Sequence, residues 1–217
     1  MATRRETSGR GRPAPRFYLL TASADSADVE TALAAAVAGA DIAAVLLTLG
    51  EGDERTKINQ IKALAPVIQA RGIALLLEGH PDLVARAGAD GAHLHGIETL
   101  RSAFTGLKPD RIAGVGGLTT RHDSMLAAEA GADYVMFGEP DMAQNRPGFD
   151  AILDRIAWWS ELFELPCVGY AATLEEVGLL AGAGADFIAL DAGLWTGPSG
   201  ASNIREAHLL LTVKEAV

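Results

Sequence analysis

Ala38-Gly39-Ala40-Asp41, Ala87-Gly88-Ala89-Asp90, Ala130-Gly131-Ala132-Asp133 and Ala183-Gly184-Ala185-Asp186 are four copies of one tetrapeptide, starting 49, 43 and 53 residues apart. Each copy follows a helix-like apolar stretch and precedes a strand-like run. Glycine tolerates the left-handed backbone that ends a helix. Alanine lets the chain pass close to a neighbouring wall, and aspartate opens the turn into the next strand. A period of roughly 45 residues is too long for one strand–helix unit and right for two. Four such pairs make eight strands, which predicts a (β/α)8 barrel.

Working outward from the repeats, eight apolar runs stand out, at 16–22, 42–49, 73–79, 91–96, 111–118, 134–140, 166–172 and 187–193. Most are continuous rather than alternating, as parallel strands covered on both faces require. Helical stretches are expected between them, at 28–38, 53–70, 81–87, 97–104, 121–130, 148–163, 174–183 and 202–216. Asp28, Asp53, Thr173 and Ser202 have the residue type of N-caps.

Composition fits one barrel. The 217 residues can bury a single large core, and 49% are apolar. No apolar run is long enough to cross a bilayer, so no membrane partner is expected. The single Cys167 permits no internal disulfide, which suits a reducing, cytoplasmic setting. The net charge of −10 argues against nucleic acid as the main partner. Residues 1–15 are a different material, with four Arg, one Glu and no apolar run. Their composition reads as a flexible basic tail, with a partner-binding arm as the alternative, and 16–217 as the barrel domain.

In such barrels chemistry sits at the C-terminal ends of the strands. In chain order those ends deliver Thr21 and Ser23, then Thr48, Gly50 and Glu51, then Glu78 and His80. His93, His95 and Glu98 come next, followed by Gly116, Gly117, Thr119, Thr120, Arg121 and His122. The last three ends supply Glu139, Asp141, Asn145 and Arg146, then Tyr170 and Thr173, then Asp191 and Trp195. The result is a polar mouth of mixed charge over an apolar body.

Several stretches carry a family likeness: Phe17-Tyr-Leu-Leu-Thr21, Ala87-Gly-Ala-Asp-Gly-Ala-His-Leu94, Ala130-Gly-Ala-Asp-Tyr-Val-Met-Phe-Gly138, Arg146-Pro-Gly148, and the Ala-Gly-Ala-Asp before the eighth run. From Arg16 onward the chain resembles the thiamine phosphate synthase family and its relative, the thiazole tautomerase. The resemblance implies joining of a pyrimidine diphosphate to a thiazole phosphate with Mg2+ and release of pyrophosphate. It also implies a small phosphorylated heterocycle as ligand. These motifs are mostly scaffold, so they identify the superfamily better than the activity.

Site positions depart from the family pattern. A Gln-x-Arg-x-Lys in the second run reads Ala44, Leu46 and Thr48 here, so both cations that would face a diphosphate are replaced. The Asn-Asp after the third run reads Glu78-Gly79, and the second metal carboxylate is best matched by Glu98. Glu78 and Glu98 are therefore the implied metal ligands. A diphosphate-side Ser reads Gly116, and a Thr-Lys pair reads Asn145-Arg146. A phosphate-cradling Gly-Gly reads Ala171-Ala172, and the polar end of the eighth run reads Asp191-Ala192, followed by Gly193. The implied catalytic residues are Arg146 and His122. The implied substrate and phosphate contacts are Asn145, Arg121, Gly116, Ala171, Ala172, Ala192 and Gly193. A departing diphosphate needs its charge neutralised, and one lost donor costs roughly 3 kcal/mol of transition-state stabilisation. A degenerate or remodelled site is the expectation. The alternative is a non-synthase paralogue, either tautomerase-like or a non-catalytic binder of a phosphorylated heterocycle or a protein.

Other residues admit two readings. Imidazole suits proton transfer, but counting back from Ala130 places the tautomerase His nearer Thr119 or Thr120 than His122. His93 and His95, two apart in a strand, face one side and with Glu78 and Glu98 are either metal ligands or structural. Glu139, Asp141 and Asp191 bring acid to the phosphate half of the mouth, which signals another ligand or solvated loops. The loop Gly197-Pro-Ser-Gly200 is either an anion cradle or a turn. Trp158 and Trp159 are adjacent and cannot both enter the core, which hints at a homodimer interface. No P-loop, dinucleotide fingerprint or nucleophile elbow is present. Lys57, Lys62, Lys108 and Lys214 all fall on helices, loops or the C-terminal end rather than where a Schiff-base lysine would sit.

Overall fold

A computed structural model of the chain describes residues 13–22, 28–141 and 143–212. Among them, eight parallel strands close into a barrel in chain order: β1 (Arg16–Leu20), β2 (Ile42–Leu47), β3 (Ala74–Glu78), β4 (Gly91–His95), β5 (Ile112–Gly116), β6 (Tyr134–Phe137), β7 (Cys167–Ala171) and β8 (Phe187–Leu190). Outside them run α1 (Asp28–Gly39), α2 (Glu54–Gln69), a 3-10 turn at Pro81–Leu83 leading into α3 (Val84–Ala87), α4 (Ile97–Leu107), α5 (Arg121–Glu129), α6 (Phe149–Leu162) and α7 (Leu174–Ala183). A four-residue helix, α8 (Ala192–Trp195), precedes α9 (Gly200–Thr212). The expected (β/α)8 barrel is the observed one. Ser23, Lys214 and residues 1–12 of the expected tail lie outside the described residues.

The repeated tetrapeptides explain the closure. Gly88, Gly131 and Gly184 have φ of 79°, 88° and 100°, the left-handed region that glycine enters without strain. Each following Asp then reaches back to the preceding strand. Asp90 Oδ2 accepts from Leu75 N–H (2.8 Å), Asp133 Oδ2 from Ala113 N–H (2.6 Å), and Asp186 Oδ2 from Cys167 N–H (2.8 Å). Every second strand start is thereby pinned by a carboxylate from the loop entering the next strand. In the first copy Arg16 takes this part, donating Nε and Nη2 to Asp41 at 2.9 Å each. Gly39 remains within α1.

Helix starts follow local chemistry. Asp53 caps α2 through Thr56 N–H, as expected, whereas Thr173 precedes α7 without a side-chain cap bond. Thr120 forms a reciprocal capping box with Asp123 at α5. Asp28 is the first residue of α1 rather than its cap, and Ser202 is the third residue of α9, within its first turn. The eighth strand is shorter than expected because Asp191 accepts from Gly193 N–H (2.8 Å) and starts α8. Trp195 Nε1 donates to Leu20 O (2.6 Å), fixing α8 across β1. The 197–200 loop is a turn closed by Gly200 N–H donating to Gly197 O (3.2 Å).

Two cores result. One lies between barrel and helices, and the other fills the lumen with Tyr18, Ala44, Leu46, Leu76, Tyr134, Met136, Val168, Tyr170 and Ala189. Trp159 is fully buried and stacks on Phe163 at 4.1 Å. Trp158 is partly buried, packed against Phe163 and under the Arg121 guanidinium at 4.8 Å, so it is a covered rather than a bare aromatic. Among the described residues no helix is long and apolar enough to cross a membrane.

Replacing Asp186 by Ala removes a charged acceptor from the Cys167 N–H. The expected loss is about 2 kcal/mol, or about 4–8 °C in Tm for a chain of this size. Denaturant and thermal unfolding check it; an unchanged Tm would show that the carboxylate does not hold β7.

Candidate active site

The lumen-facing positions decide what reaches the mouth. In β5, Gly114 and Gly116 carry no side chain inward, and larger groups use the space. A Cβ on Gly114 would lie 1.9 Å from the Tyr134 ring, and one on Gly116 would lie 2.1 Å from Glu139 Oε1 and 2.8 Å from His93 Nε2. Tyr134 thus fills the middle of the lumen and Glu139 covers the end of β5. Glu139 Oε1 accepts from Gly117 N–H at 2.5 Å.

A buried polar chain runs through the lumen. Tyr18 and Tyr134 share a hydroxyl–hydroxyl bond of 2.9 Å, and the Tyr134 hydroxyl is 2.9 Å from His93 Nδ1. The Tyr134 ring stacks on the imidazole with 15° between planes. Burial, then the neighbouring His95, pushes His93 down to about 3, so the ring is neutral. Burial raises both tyrosines. The other ring nitrogen, His93 Nε2, is buried and has no hydrogen-bond partner among the described residues.

Above it opens a cavity of about 410 Å³, lined among others by Thr21, Thr48, Glu78, His93, His95, Met136, Glu139, Asp141, Tyr170, Asp191 and Gly193. Glu78 Oε2 accepts from Thr48 Oγ1 at 2.5 Å, and Glu78 Oε1 lies 3.4 Å from His95 Nε2. The His95 bond is the largest cause lowering Glu78, and the Glu78 bond is the largest cause raising His95. Burial raises Glu139 against the lowering effect of the Gly117 N–H. Tyr170 donates to Asp191 Oδ2 at 2.6 Å and is raised by burial and by that carboxylate. A second cavity of about 490 Å³ adjoins, with Gly117, Thr119, Glu139, Asn145, Arg146 and Arg155 in its wall.

The sequence-derived residues divide. Glu78, Ala192 and Gly193 line the first cavity, and Asn145 and Arg146 the second. Gly116 and Ala171 are buried beneath these walls. Ala44 and Leu46 face the lumen and Thr48 the cavity, so the positions expected to lack cations are at the site. Glu139, Asp141 and Asp191 do bring acid into one mouth. Arg121 and His122 open α5 as exposed residues, and neither lines either cavity. His93 and His95 share a side, with ring centroids 5.3 Å apart.

The implied Mg2+ meets a poor donor set. Glu98 lies on α4 with its side chain 85% exposed, paired with Arg101 at 2.9 Å. It borders a different cavity, while Glu78 is engaged by Thr48 and His95. Among the described residues no group of three or more His, Cys, Asp or Glu is placed to hold a metal ion. Glu78 and Glu98 border different cavities and do not converge on one ion as these side chains stand.

Arg146 is the most constrained group here. Nε donates to Gly138 O (2.7 Å), Nη2 to Tyr170 O (2.8 Å), and Nη1 and Nη2 to Glu176 Oε1 and Oε2 (2.7 and 2.9 Å). Glu176 Oε2 also accepts from Ala172 N–H at 2.8 Å. Sequence reasoning missed Glu176. The signal was the capping-box spacing of Thr173-Leu-Glu-Glu176, but the carboxylate reaches one residue further back, to Ala172.

Replacing Glu78 by Gln should return His95 toward its ordinary value of 6.5. Ring-proton NMR titration reads this, with His93 silent above pH 5 in both proteins. Because folding raises His95, the pair stabilises the protein fully below pH 6.5 and less as pH climbs through the folded-state value. The variant flattens that part of the stability profile, and an unmoved His95 titration would contradict the pairing.

A family model described as thiamine monophosphate synthase matches residues 17–194, from β1 through most of α8. The thiamine-phosphate synthase of Rhodospirillum centenum is 39% identical over 189 residues, spanning 85% of this chain and 91% of that protein. That of Hyphomonas neptunium is 31% identical over 198 residues, spanning 87% and 90%. The thiamine phosphate pyrophosphorylase structure from Pyrococcus furiosus superposes with a TM-score of 0.74 at 17% identity, covering 92% of this chain and 96% of that one, a likeness of fold. The chain belongs to the thiamine-phosphate synthase family.

Proposed function

We propose that the chain joins a pyrimidine-methyl diphosphate to a thiazole phosphate, the thiamine phosphate synthase reaction, in the cavity above His93. The observation that carries the reading is the buried, unpartnered His93 Nε2 at the floor of a polar cavity. Buried polar atoms without partners are uncommon and costly, and a heterocyclic ligand would satisfy this one. The family match spans every strand around it.

The chemistry asks for positive charge to be tolerated. The C–O bond to the diphosphate breaks with its electron pair leaving on oxygen, and positive charge develops on the pyrimidine methyl carbon. The thiazole nitrogen then donates its lone pair to that carbon and becomes a thiazolium. Glu78, Glu139 and Asp191 around the cavity suit both cationic species, since fixed charges in a poorly solvated site act strongly. His93 Nε2 positions a ring nitrogen or amine, with Tyr134 and Tyr18 holding the imidazole. No step is routed through a metal, because Glu78 and Glu98 do not converge on one ion. A small phosphorylated heterocycle as ligand, a cytoplasmic setting and a homodimer belong to the same reading. Leu162 and Leu179, 65% and 53% exposed on α6 and α7, offer apolar surface for the dimer.

The test is direct. Purified protein with pyrimidine diphosphate, thiazole phosphate and Mg2+ should yield thiamine phosphate. His93→Phe keeps a ring but loses Nε2, and kcat/KM should fall about 10–100-fold. Absence of product from folded protein at high concentration overturns the coupling reading and favours a binding protein.

A further inference from the structure

Charge is sorted between the two adjoining cavities. Glu78 and Asp191 line the first, whereas Arg146 and Arg155 line the second. Glu139 and Asp141 stand on the wall the two share, and N–H groups already engage both. Gly117 N–H donates to Glu139, and Ala143 and Asn145 N–H donate to Asp141. Of the two arginines, Arg146 has its charge met by Glu176 at 2.7 Å. Arg155 differs. It reaches from α6 to the loop after β5, where Nη1 donates to Leu118 O (2.5 Å) and Nη2 to Thr119 O (2.8 Å). Among the described residues it forms no ion pair, and Nε–H and the second N–H of each Nη make no hydrogen bond. Glu139 senses its charge only at a distance. The Phe137 ring lies against the guanidinium at 5.9 Å. Two carbonyls and a ring thus fix a planar cationic fork, the donor geometry that suits phosphate oxygens.

We propose that Arg155 is the residue that takes the diphosphate: the second cavity is the leaving-group subsite, and the Arg155 fork binds the oxygens on which negative charge gathers as the C–O bond breaks. The electron pair of that bond leaves on the diphosphate oxygen, so a guanidinium there gains most in the transition state. The monoester of thiazole phosphate keeps its charge throughout and asks less of this cation. The carboxylates of the first cavity suit the cationic heterocycles and repel the diphosphate, which directs it to the neighbouring space. His95 and Met136 line both cavities, so a ring over His93 and a diphosphate beside Arg155 belong to one continuous volume. The cations replaced by Leu46 and Thr48 on β2 are thereby made up from α6, across the barrel. The inference rests on the coupling reading for the identity of the anion, and on the Arg155 geometry for its place.

The experiment titrates inorganic pyrophosphate, and in parallel thiazole phosphate, into the native chain, Arg155→Met and Arg155→Lys in Mg2+ buffer. The native chain should bind pyrophosphate, and Arg155→Met should bind it about tenfold more weakly or worse. Arg155→Lys should fall between them, because it keeps the charge and loses the fork. Thiazole phosphate affinity should be unchanged in both variants. In turnover, Arg155→Met should lower kcat and leave KM for thiazole phosphate in place. Tm is read for each variant, since the bonds to Leu118 and Thr119 also hold α6. The native chain gives a second measurement that needs no variant to fold. Pyrophosphate should protect Arg155 from phenylglyoxal, mapped by peptide mass spectrometry, and leave labelling of the exposed Arg101 unchanged. Unchanged pyrophosphate affinity in folded Arg155→Met, equal weakening of both ligands, or no protection of Arg155 overturns the proposal. If pyrophosphate binds at Arg155 and no thiamine phosphate forms, the coupling reading fails alone. If thiamine phosphate forms and Arg155→Met binds pyrophosphate like the native chain, the inference fails alone.

Discussion

The structure depends on a carboxylate at the foot of every second strand. Asp90, Asp133 and Asp186 each accept from an N–H near the start of the strand before their own, and Asp41 does the equivalent through Arg16. In a closed parallel barrel, a slip at one strand start moves every side chain that strand presents above. The lumen order of Tyr18, Tyr134 and His93, and the placing of Glu78 and Glu139 at the rim, therefore rest on bonds made at the opposite end of the barrel. The repeat that reveals the fold is also the set of fasteners that keeps it in register.

The mouth built on that frame is organised around negative charge. Leu46 and Thr48 face the mouth where the family pattern has cations, while Glu78, Glu139, Asp141 and Asp191 share one cavity. Arg146 spends four donor contacts on Gly138, Tyr170 and Glu176. These bonds tie the end of β6 to β7 and α7. The neutral, buried His93 and the cationic tendency of His95 beside Glu78 divide the two imidazoles by environment, although they stand two residues apart.

The barrel was legible because its evidence is periodic: four tetrapeptides, eight apolar runs and turn-forming glycines repeat at a length only paired strand–helix units explain. The last strand ended early because Asp191 prefers the cap of α8, a local competition that strand-like hydrophobicity hides. The site was legible in part. Strand-end counting brought Glu78, Glu139, Asp141, Asp191, Asn145 and Arg146 to the mouth, whereas Arg121 and His122 open α5 on the exposed side. Spacing along the chain does not report where a guanidinium points, so Arg121 on Trp158 and Arg146 on Glu176 were invisible. Nor does it report that glycines in β5 leave room for Tyr134 and Glu139.

A crystal structure of the protein with thiazole phosphate and pyrophosphate bears most directly on the whole account. The account predicts the thiazole in the cavity above His93, among Glu78, Glu139 and Asp191. A thiazole bound elsewhere, away from His93, would contradict it.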